Sequence, residues 1–286
     1  MKSNINEETW DLIVKPKNSW FDLNLKEVWK YRDLIFLFVK RDFISVYKQT
    51  ILGPLWYIIQ PLLSTLTLVF IGIAGNLSHA GIPQFLFSLS GQVIWNFFAM
   101  SFTKTSNTFI SNATIFGKVY FPRLVMPISI ILSNYIAQAI QLIIFICFYL
   151  FYKFYGHDFH LNTLHLVGFF YIIFISSLLS FGFGVFISSL TTKYRDFTFL
   201  INFGIQLAMY GSTVMWDTTS NVPEWAKKLI MLNPMSSLIN YFRFIFFNTG
   251  YVDVFYLVYS GIVGIFICFI GMIIFNRVEK SFMDTV

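Results

Sequence analysis

The chain has 286 residues, of which 56% are hydrophobic and only 12% are charged. A soluble domain carries about twice that charged fraction, so the composition excludes an ordinary soluble globular protein. The net charge of +6 is distributed among alternate connecting segments rather than gathered in one patch, so it does not indicate a nucleic-acid partner.

The first segment, Met1–Asn24, is polar and of mixed charge, and we expect no signal peptide in it because it lacks a short apolar core. From Leu25 to Thr50 the periodicity predicts a basic amphipathic helix. Its apolar stripe includes Trp29, Phe36, Phe43 and Tyr47. Such a helix directly before an apolar span is expected to lie in the cytoplasmic interface of a membrane, and packing on a partner protein is the alternative.

Six long stretches then follow that contain no Asp, Glu, Lys or Arg. Each is about as long as the ~20 apolar residues that a helix needs to cross a bilayer. Because backbone groups in lipid must pair within their own segment, unbroken runs of this length predict helices. The six predicted spans are Pro54–Gly75, Gln84–Thr103, Leu124–Tyr152, Leu166–Thr192, Phe197–Trp216 and Val254–Asn276.

The connecting segments differ in their positive charge. Of the 20 Lys and Arg residues, only Lys153, Lys227, Lys228 and Arg243 lie in the segments after the first, third and fifth spans, and the other 16 lie in the remaining segments. The positive-inside rule then places both termini in the cytoplasm. The predicted organisation is a cytoplasmic tail and interface helix over 1–52, a transmembrane domain over 53–276 and a cytoplasmic tail over 277–286.

The segment between spans five and six predicts two short helices, Trp225–Asn233 and Met235–Asn248, separated by Pro234. Neither is long enough to cross about 30 Å of hydrocarbon. We therefore expect re-entrant or interfacial helices on the outer side. The fold class predicted from the sequence is an all-α polytopic membrane protein with six transmembrane helices, an N-terminal amphipathic interfacial helix and short outer re-entrant helices.

Uncharged polar residues recur along one face of three predicted spans. They are Trp56, Gln60 and Ser64 in span one, Asn202, Gln206 and Tyr210 in span five, and Asn134, Gln138 and Gln141 in span three. One interpretation is hydrogen bonding between helices, which such residues often provide in membranes. The other is the lining of a conduit for sugars, because apolar sugar faces stack on aromatic rings while hydroxyl groups meet amides.

The sequence contains no G-x-x-x-x-G-K-[ST] phosphate loop, no H-E-x-x-H motif and no paired cysteine motif. The predicted spans also lack the ionisable residues on which proton-coupled carriers rely. Membrane enzymes usually need acids, bases or metal ligands near the bilayer, so the same absence disfavours an enzyme that processes lipid-linked glycans. An energy source on another polypeptide fits these observations better.

Several motifs along the chain resemble those of the membrane subunits of bacterial polysaccharide exporters of the ATP-binding-cassette type, ABC-2 class. The matching segments include Lys40-Arg41-Asp42, Leu52-Gly53-Pro54-Leu55-Trp56, Gln60-Pro61, Lys118-Val119-Tyr120-Phe121-Pro122-Arg123, Tyr194-Arg195-Asp196, Leu232-Asn233-Pro234-Met235 and Arg277-Val278-Glu279-Lys280-Ser281-Phe282. They occur in order over nearly the whole chain, so the resemblance is specific to the family. It is less specific to the cargo: O-antigen is nearest, then capsule.

The resemblance implies a permease that is not itself an enzyme, located in the bacterial inner membrane. Two permeases pair with two copies of a separate ATPase, which binds ATP and Mg²⁺, and the permease chain has no cofactor of its own. The helix carrying Trp29, Phe36, Phe43 and Tyr47 is a gate helix in this scheme. The ATPase docks on Asn112, Lys118, Tyr120, Arg123, Lys193, Arg195 and Asp196. The conduit for a lipid-linked polysaccharide runs between the two permeases along Trp56, Gln60, Ser64, Asn202, Gln206 and Tyr210. Export of teichoic acid, a drug or a small lipid, and a non-transporting membrane scaffold, are the alternatives.

Overall fold

A computed structural model describes residues 25–48, 51–76, 81–157, 159–192, 194, 196–217, 223–249 and 252–282. Predictions for Met1–Asn24, Lys193 and Arg195 lie outside these residues. The described chain folds into eleven α-helices, which confirms the all-α class. They are α1 (Leu25–Lys30), α2 (Arg32–Tyr47), α3 (Trp56–Ala74), α4 (Gln84–Ser106), α5 (Thr108–Phe116), α6 (Val125–Phe154), α7 (Val167–Thr191), α8 (Phe197–Tyr210), α9 (Glu224–Leu232), α10 (Pro234–Phe247) and α11 (Val254–Phe282).

Within the described residues, five helices are long and apolar enough to cross a membrane, namely α3, α4, α6, α7 and α11. They correspond to five of the six predicted spans. The remaining one, predicted over Phe197–Trp216, is helical only as far as Tyr210. The 14 residues of α8 extend about 21 Å, and an irregular segment, 211–217, continues from its end and is buried at 212–214 and 217. We call 211–217 the post-α8 segment.

The two short helices predicted after span five are present as α9 and α10. The Asn233 side chain accepts a hydrogen bond from the backbone N–H of Met235, and Pro234 occupies the first turn of α10, so this dipeptide separates the two helices. Asn248 ends α10 in the left-handed conformation, with φ of 51°. α9 buries only Met231, whereas most of α10 is buried among the long helices. We call this end of the bundle the hairpin end.

The opposite end carries α1, α2 and α5, and we call it the basic end. The predicted interface helix is interrupted at Tyr31, which separates α1 from α2. The two pieces bury Val28, Ile35 and Phe38 against α5 and the beginning of α6. α5 is a short helix in the connection between α4 and α6. Its Phe109 and Phe116 rings form the centre of this cluster.

The core of the bundle is built around α4, which packs against α3, α6, α7 and α10. α11 packs along α7, where glycines allow close approach of the two backbones. A Cβ atom at Gly182 would lie 2.5 Å from the backbone nitrogen of Cys268. Lipid is as apolar as the side chains of the helices, so membrane helices associate through close dispersion contacts, and small residues at the crossing allow those contacts.

Candidate transport path and docking surface

Three helices leave wide faces uncovered in the single chain, and their chemistry differs. In α3 and α11 only 22% of the membrane-spanning window is buried, and in α8 only Ile201 is buried. The exposed residues of α11 between 254 and 276 are all apolar. A face of that kind is suited to lipid tails. α3 and α8, in contrast, expose amides and polar aromatic groups.

On α3 the predicted stripe is largely exposed and lies toward the basic end. Trp56 is 43% exposed, Gln60 is also exposed, and Ser64 is half-buried. The Ser64 hydroxyl donates to the Gln60 carbonyl at 3.0 Å, which is a bond within the helix. The Trp56 ring and the Gln60 amide are thus presented away from the chain's own core, as a conduit lining requires.

On α8 the stripe continues toward the hairpin end. Asn202, Gln206 and Tyr210 are exposed, and the Gln206 side-chain amide donates to the Tyr210 hydroxyl at 3.5 Å. The two groups are one turn apart, so they form a joint amide and phenol surface. α3 and α8 each pack against α4. The polar groups of α3 lie toward the basic end and those of α8 toward the hairpin end.

The third predicted polar stripe, on α6, faces the interior of the bundle instead of an open surface. Asn134, Gln138 and Gln141 of α6 are all buried. The Asn134 amide donates to the Ser101 hydroxyl at 3.0 Å and accepts from the Lys104 ammonium at 3.0 Å. These bonds join α6 to α4 in the bundle. The stripe on α6 therefore lies inside the bundle, and the candidate path is assigned to the exposed stripes of α3 and α8.

The predicted docking residues divide into an exposed and a buried group. Lys118, Tyr120 and Asp196 are exposed, so they are accessible to a partner. Asn112 is buried and donates to the Thr108 carbonyl of its own helix at 3.0 Å. Arg123 is buried, with its guanidinium carbon 5.4 Å from the centre of the Phe116 ring. Asn112 and Arg123 shape the α5 segment from inside and do not form its outer surface.

The interface helix has two apolar faces where the sequence indicated one stripe. Val28, Ile35 and Phe38 face the protein, while Trp29 and Phe36 point outward with exposures of 70% and 66%. Phe43 is half-buried. The side chain of Tyr47 lies outside the description, although its backbone ends α2. Outward aromatic groups beside exposed Lys30 and Lys40 are typical of helices that lie at a membrane surface.

Sequence reasoning treated Arg243 only as a loop charge, but the structure buries it within α10. The signal was present in the sequence: Arg243 is the one charge within the otherwise uncharged stretch Met235–Phe247. An isolated charge at membrane depth is generally functional or tightly paired.

The fold is that of a polytopic helical membrane protein, with five described helices long and apolar enough to cross a bilayer. The family model for ABC-2 type transporters matches residues 33–247. The chain therefore belongs to the ABC-2 type transporter family.

Curated relatives extend the similarity over most of the chain. An O-antigen export system permease protein RfbA of Klebsiella pneumoniae is 28% identical over 253 residues, which cover 88% of this chain and 94% of that protein. A second permease of the same name and organism is 27% identical, with the same coverage. The RfbA permease of Myxococcus xanthus is 22% identical over 92% of this chain and 98% of its own length.

Proposed function

We propose that this chain is the permease subunit of an ATP-driven exporter that moves a lipid-linked polysaccharide, of the O-antigen or capsule type, across the bacterial inner membrane. The observation that carries the proposal is the contrast between the exposed faces of the helices. α3 and α8 expose indole, amide and phenol groups among their apolar residues, whereas the exposed residues of α11 between 254 and 276 are all apolar. The curated relatives named as O-antigen export permeases agree in class with this chemistry.

A second copy of the chain completes the path in this proposal. Exposed amides such as Gln60 and Gln206 would be costly against lipid, because unpaired polar groups in hydrocarbon lose several kcal/mol of hydrogen bonding. Two like surfaces related by a twofold axis would enclose a polar conduit between them. The conduit would carry Trp56, Gln60 and Ser64 near its basic end and Asn202, Gln206 and Tyr210 near its hairpin end.

Energy would come from two copies of a separate ATPase, which bind ATP and Mg²⁺ at the basic end. Lys118 and Tyr120 follow α5, and Asp196 immediately precedes α8. A partner bound there would contact one segment joined to α4 through α5 and another that opens the conduit helix α8. The Thr198 hydroxyl donates to the Asn107 side chain at 3.4 Å, which links these two segments. Both termini would be cytoplasmic.

The test is export by permease variants in a strain that carries no other copy. Tyr210→Ala and Gln206→Ala should each reduce surface polysaccharide about fivefold, the equivalent of one lost hydrogen bond of about 1 kcal/mol. The matched control is Phe269→Ala, which truncates an exposed aromatic residue on the apolar face of α11 and should leave export unchanged. Detergent melting of each purified variant separates loss of stability from loss of transport.

Two results would count against the proposal. Normal polysaccharide export by both the Gln206 and Tyr210 variants would remove these residues from the path. Normal surface polysaccharide in a strain lacking the permease altogether would instead favour another cargo, such as a drug or a small lipid.

A further inference from the structure

Arg243 of α10 joins three separate parts of the hairpin end. Its side chain is 4% exposed. Nε donates to the Ser90 hydroxyl at 3.1 Å and Nη2 to the Phe87 carbonyl at 3.1 Å, both on α4. Nη1 donates to the Thr213 carbonyl at 2.5 Å and Nη2 to the Val214 carbonyl at 3.1 Å. One guanidinium therefore holds α4, α10 and the post-α8 segment together.

The post-α8 segment has an unusual need for such a partner. Its backbone is irregular, yet Ser212, Thr213 and Val214 have no exposed surface. Non-helical backbone at membrane depth is tolerated only where protein groups satisfy its carbonyls. Arg243 satisfies the carbonyls of Thr213 and Val214. The planar fork of a guanidinium can reach carbonyls on two elements at once, which an ammonium cannot do as well.

Further bonds attach the same region to the short helices rather than to the long ones. The Thr213 hydroxyl donates to the Ser236 carbonyl at 2.9 Å. The Asn233 amide donates to the Ala208 carbonyl, in the last turn of α8, at 3.1 Å. α8 itself buries only Ile201 along its length. The hydrogen bonds to the α9–α10 hairpin therefore hold the hairpin end of α8 in addition to the partial packing of Ile205 and Met209 against the core.

We propose that Arg243 is a positioning residue that fixes the hairpin end of α8, so that Gln206 and Tyr210 face the transport path. The expected effect of Arg243 on transport rests on the proposed function, whereas the positioning of α8 by Arg243 does not. Arg243 touches neither conduit residue in the described contacts. It acts through the post-α8 segment, which starts directly after Tyr210.

Gly91 offers a way to disturb this arrangement without changing Arg243. A Cβ atom at Gly91 would lie 2.8 Å from Nη2 of Arg243 and 3.0 Å from the Cα of Val214. Gly91→Ala must therefore displace the guanidinium, the Val214 backbone, or both. Ser90→Ala is milder, because it removes the acceptor of the Nε hydrogen bond and the bond from the Ser90 hydroxyl to the Phe87 carbonyl, and leaves the other guanidinium contacts in place. Arg243→Lys keeps the charge and loses the fork.

The experiment places one spin label on the full-length chain in lipid nanodiscs, after Cys147→Ser and Cys268→Ala. Separate samples carry the label at position 206 on α8, at position 60 on α3 and at position 262 on α11. In Arg243→Lys and Gly91→Ala, the label at 206 should become more mobile and more accessible to a water-soluble nickel complex. Labels at 60 and 262 should keep their spectra, because the hydrogen bonds described for Arg243 go to α4 and the post-α8 segment and none goes to α3 or α11.

A purely structural role for Arg243 predicts a different pattern, in which all three labels loosen together as the melting temperature falls. That pattern, or an unchanged label at 206 in the folded variants, overturns the proposal. If Arg243→Lys and Gly91→Ala are not recovered from membranes, the same three labels are measured in Ser90→Ala. A change at 206 alone then supports the proposal, and an unchanged label at 206 overturns it. A loosened label at 206 in variants that export normally would uphold the positioning of α8 and count against the conduit assignment instead.

Discussion

Gly182→Ala should separate α7 from α11, and the size of the effect follows from the contact geometry. The new Cβ would lie 2.5 Å from the backbone nitrogen of Cys268 and 2.7 Å from its Cα. Ordinary contacts begin near 3.4 Å, so α11 must move by about 0.9 Å. The atoms in the way are backbone, which cannot rotate aside. Gly271 lies at the same crossing, with its own Cβ direction pointing at the Gly182 carbonyl.

A gap of 0.5–1 Å removes about a quarter to a half of the dispersion energy of the contacts that it opens. Insertion of a methyl group into a packed core generally costs about 1–3 kcal/mol. We expect the upper part of that range, because two long helices must shift together. For a chain of this size the melting temperature in detergent should fall by roughly 6–10 °C.

The matched control is Gly264→Ala on the same face of α11. Its Cβ would meet Ile175 Cγ2 at 3.4 Å and Leu178 Cβ at 3.6 Å, which are ordinary contacts. The free energy of unfolding should stay the same or rise, since alanine is favoured over glycine in helices by up to about 1 kcal/mol. Equal melting temperatures for Gly182→Ala and Gly264→Ala would refute the close-packing argument.

Two further predictions concern the basic end and the topology. Lys118→Glu should weaken co-purification of the ATPase, because charge reversal across a docking surface is costly. It should not lower the melting temperature, because the Lys118 side chain is exposed. Lys228→Glu on α9 is the matched control, and equal ATPase recovery from both variants would contradict docking at Lys118. In a chain lacking Cys147 and Cys268, an impermeant maleimide should label a cysteine at position 157 from outside and one at position 118 only after permeabilisation. Labelling of intact cells at position 118 would reverse the orientation.

The spans could be predicted from the sequence because lipid leaves the backbone few alternatives. An uncharged stretch of sufficient length must pair its own N–H and C=O groups, so the predicted spans and the observed helices nearly coincide. The exception is informative. Phe197–Trp216 has the composition of a span, yet its helix ends at Tyr210. Beyond Tyr210 the backbone is irregular, and Arg243, which is distant in sequence, donates to the carbonyls of Thr213 and Val214 there.

The exposure of individual side chains could not be predicted in the same way, because it depends on which neighbours the fold brings. Arg123 resembled an accessible docking charge, but Phe109 and Phe116 of α5 surround it. Trp29 and Phe36 fit one apolar stripe with Val28 by periodicity, yet they point away from the protein. A helix between a protein and a membrane has two apolar environments, and periodicity alone cannot assign a residue to one of them.

The arrangement of α8 explains how docking at one end could reach the exit at the other. The helix is connected at its basic end to the α4–α5 junction through Thr198 and Asn107, and at its hairpin end to α10 through the post-α8 segment. Between these two attachments it fully buries one residue, Ile201, and partly buries Ile205 and Met209 against the core. A helix that is attached mainly at its two ends transmits a displacement along its axis, whereas a helix packed along its whole face would resist that displacement. The sparse packing of α8 is therefore what its proposed place in the path requires.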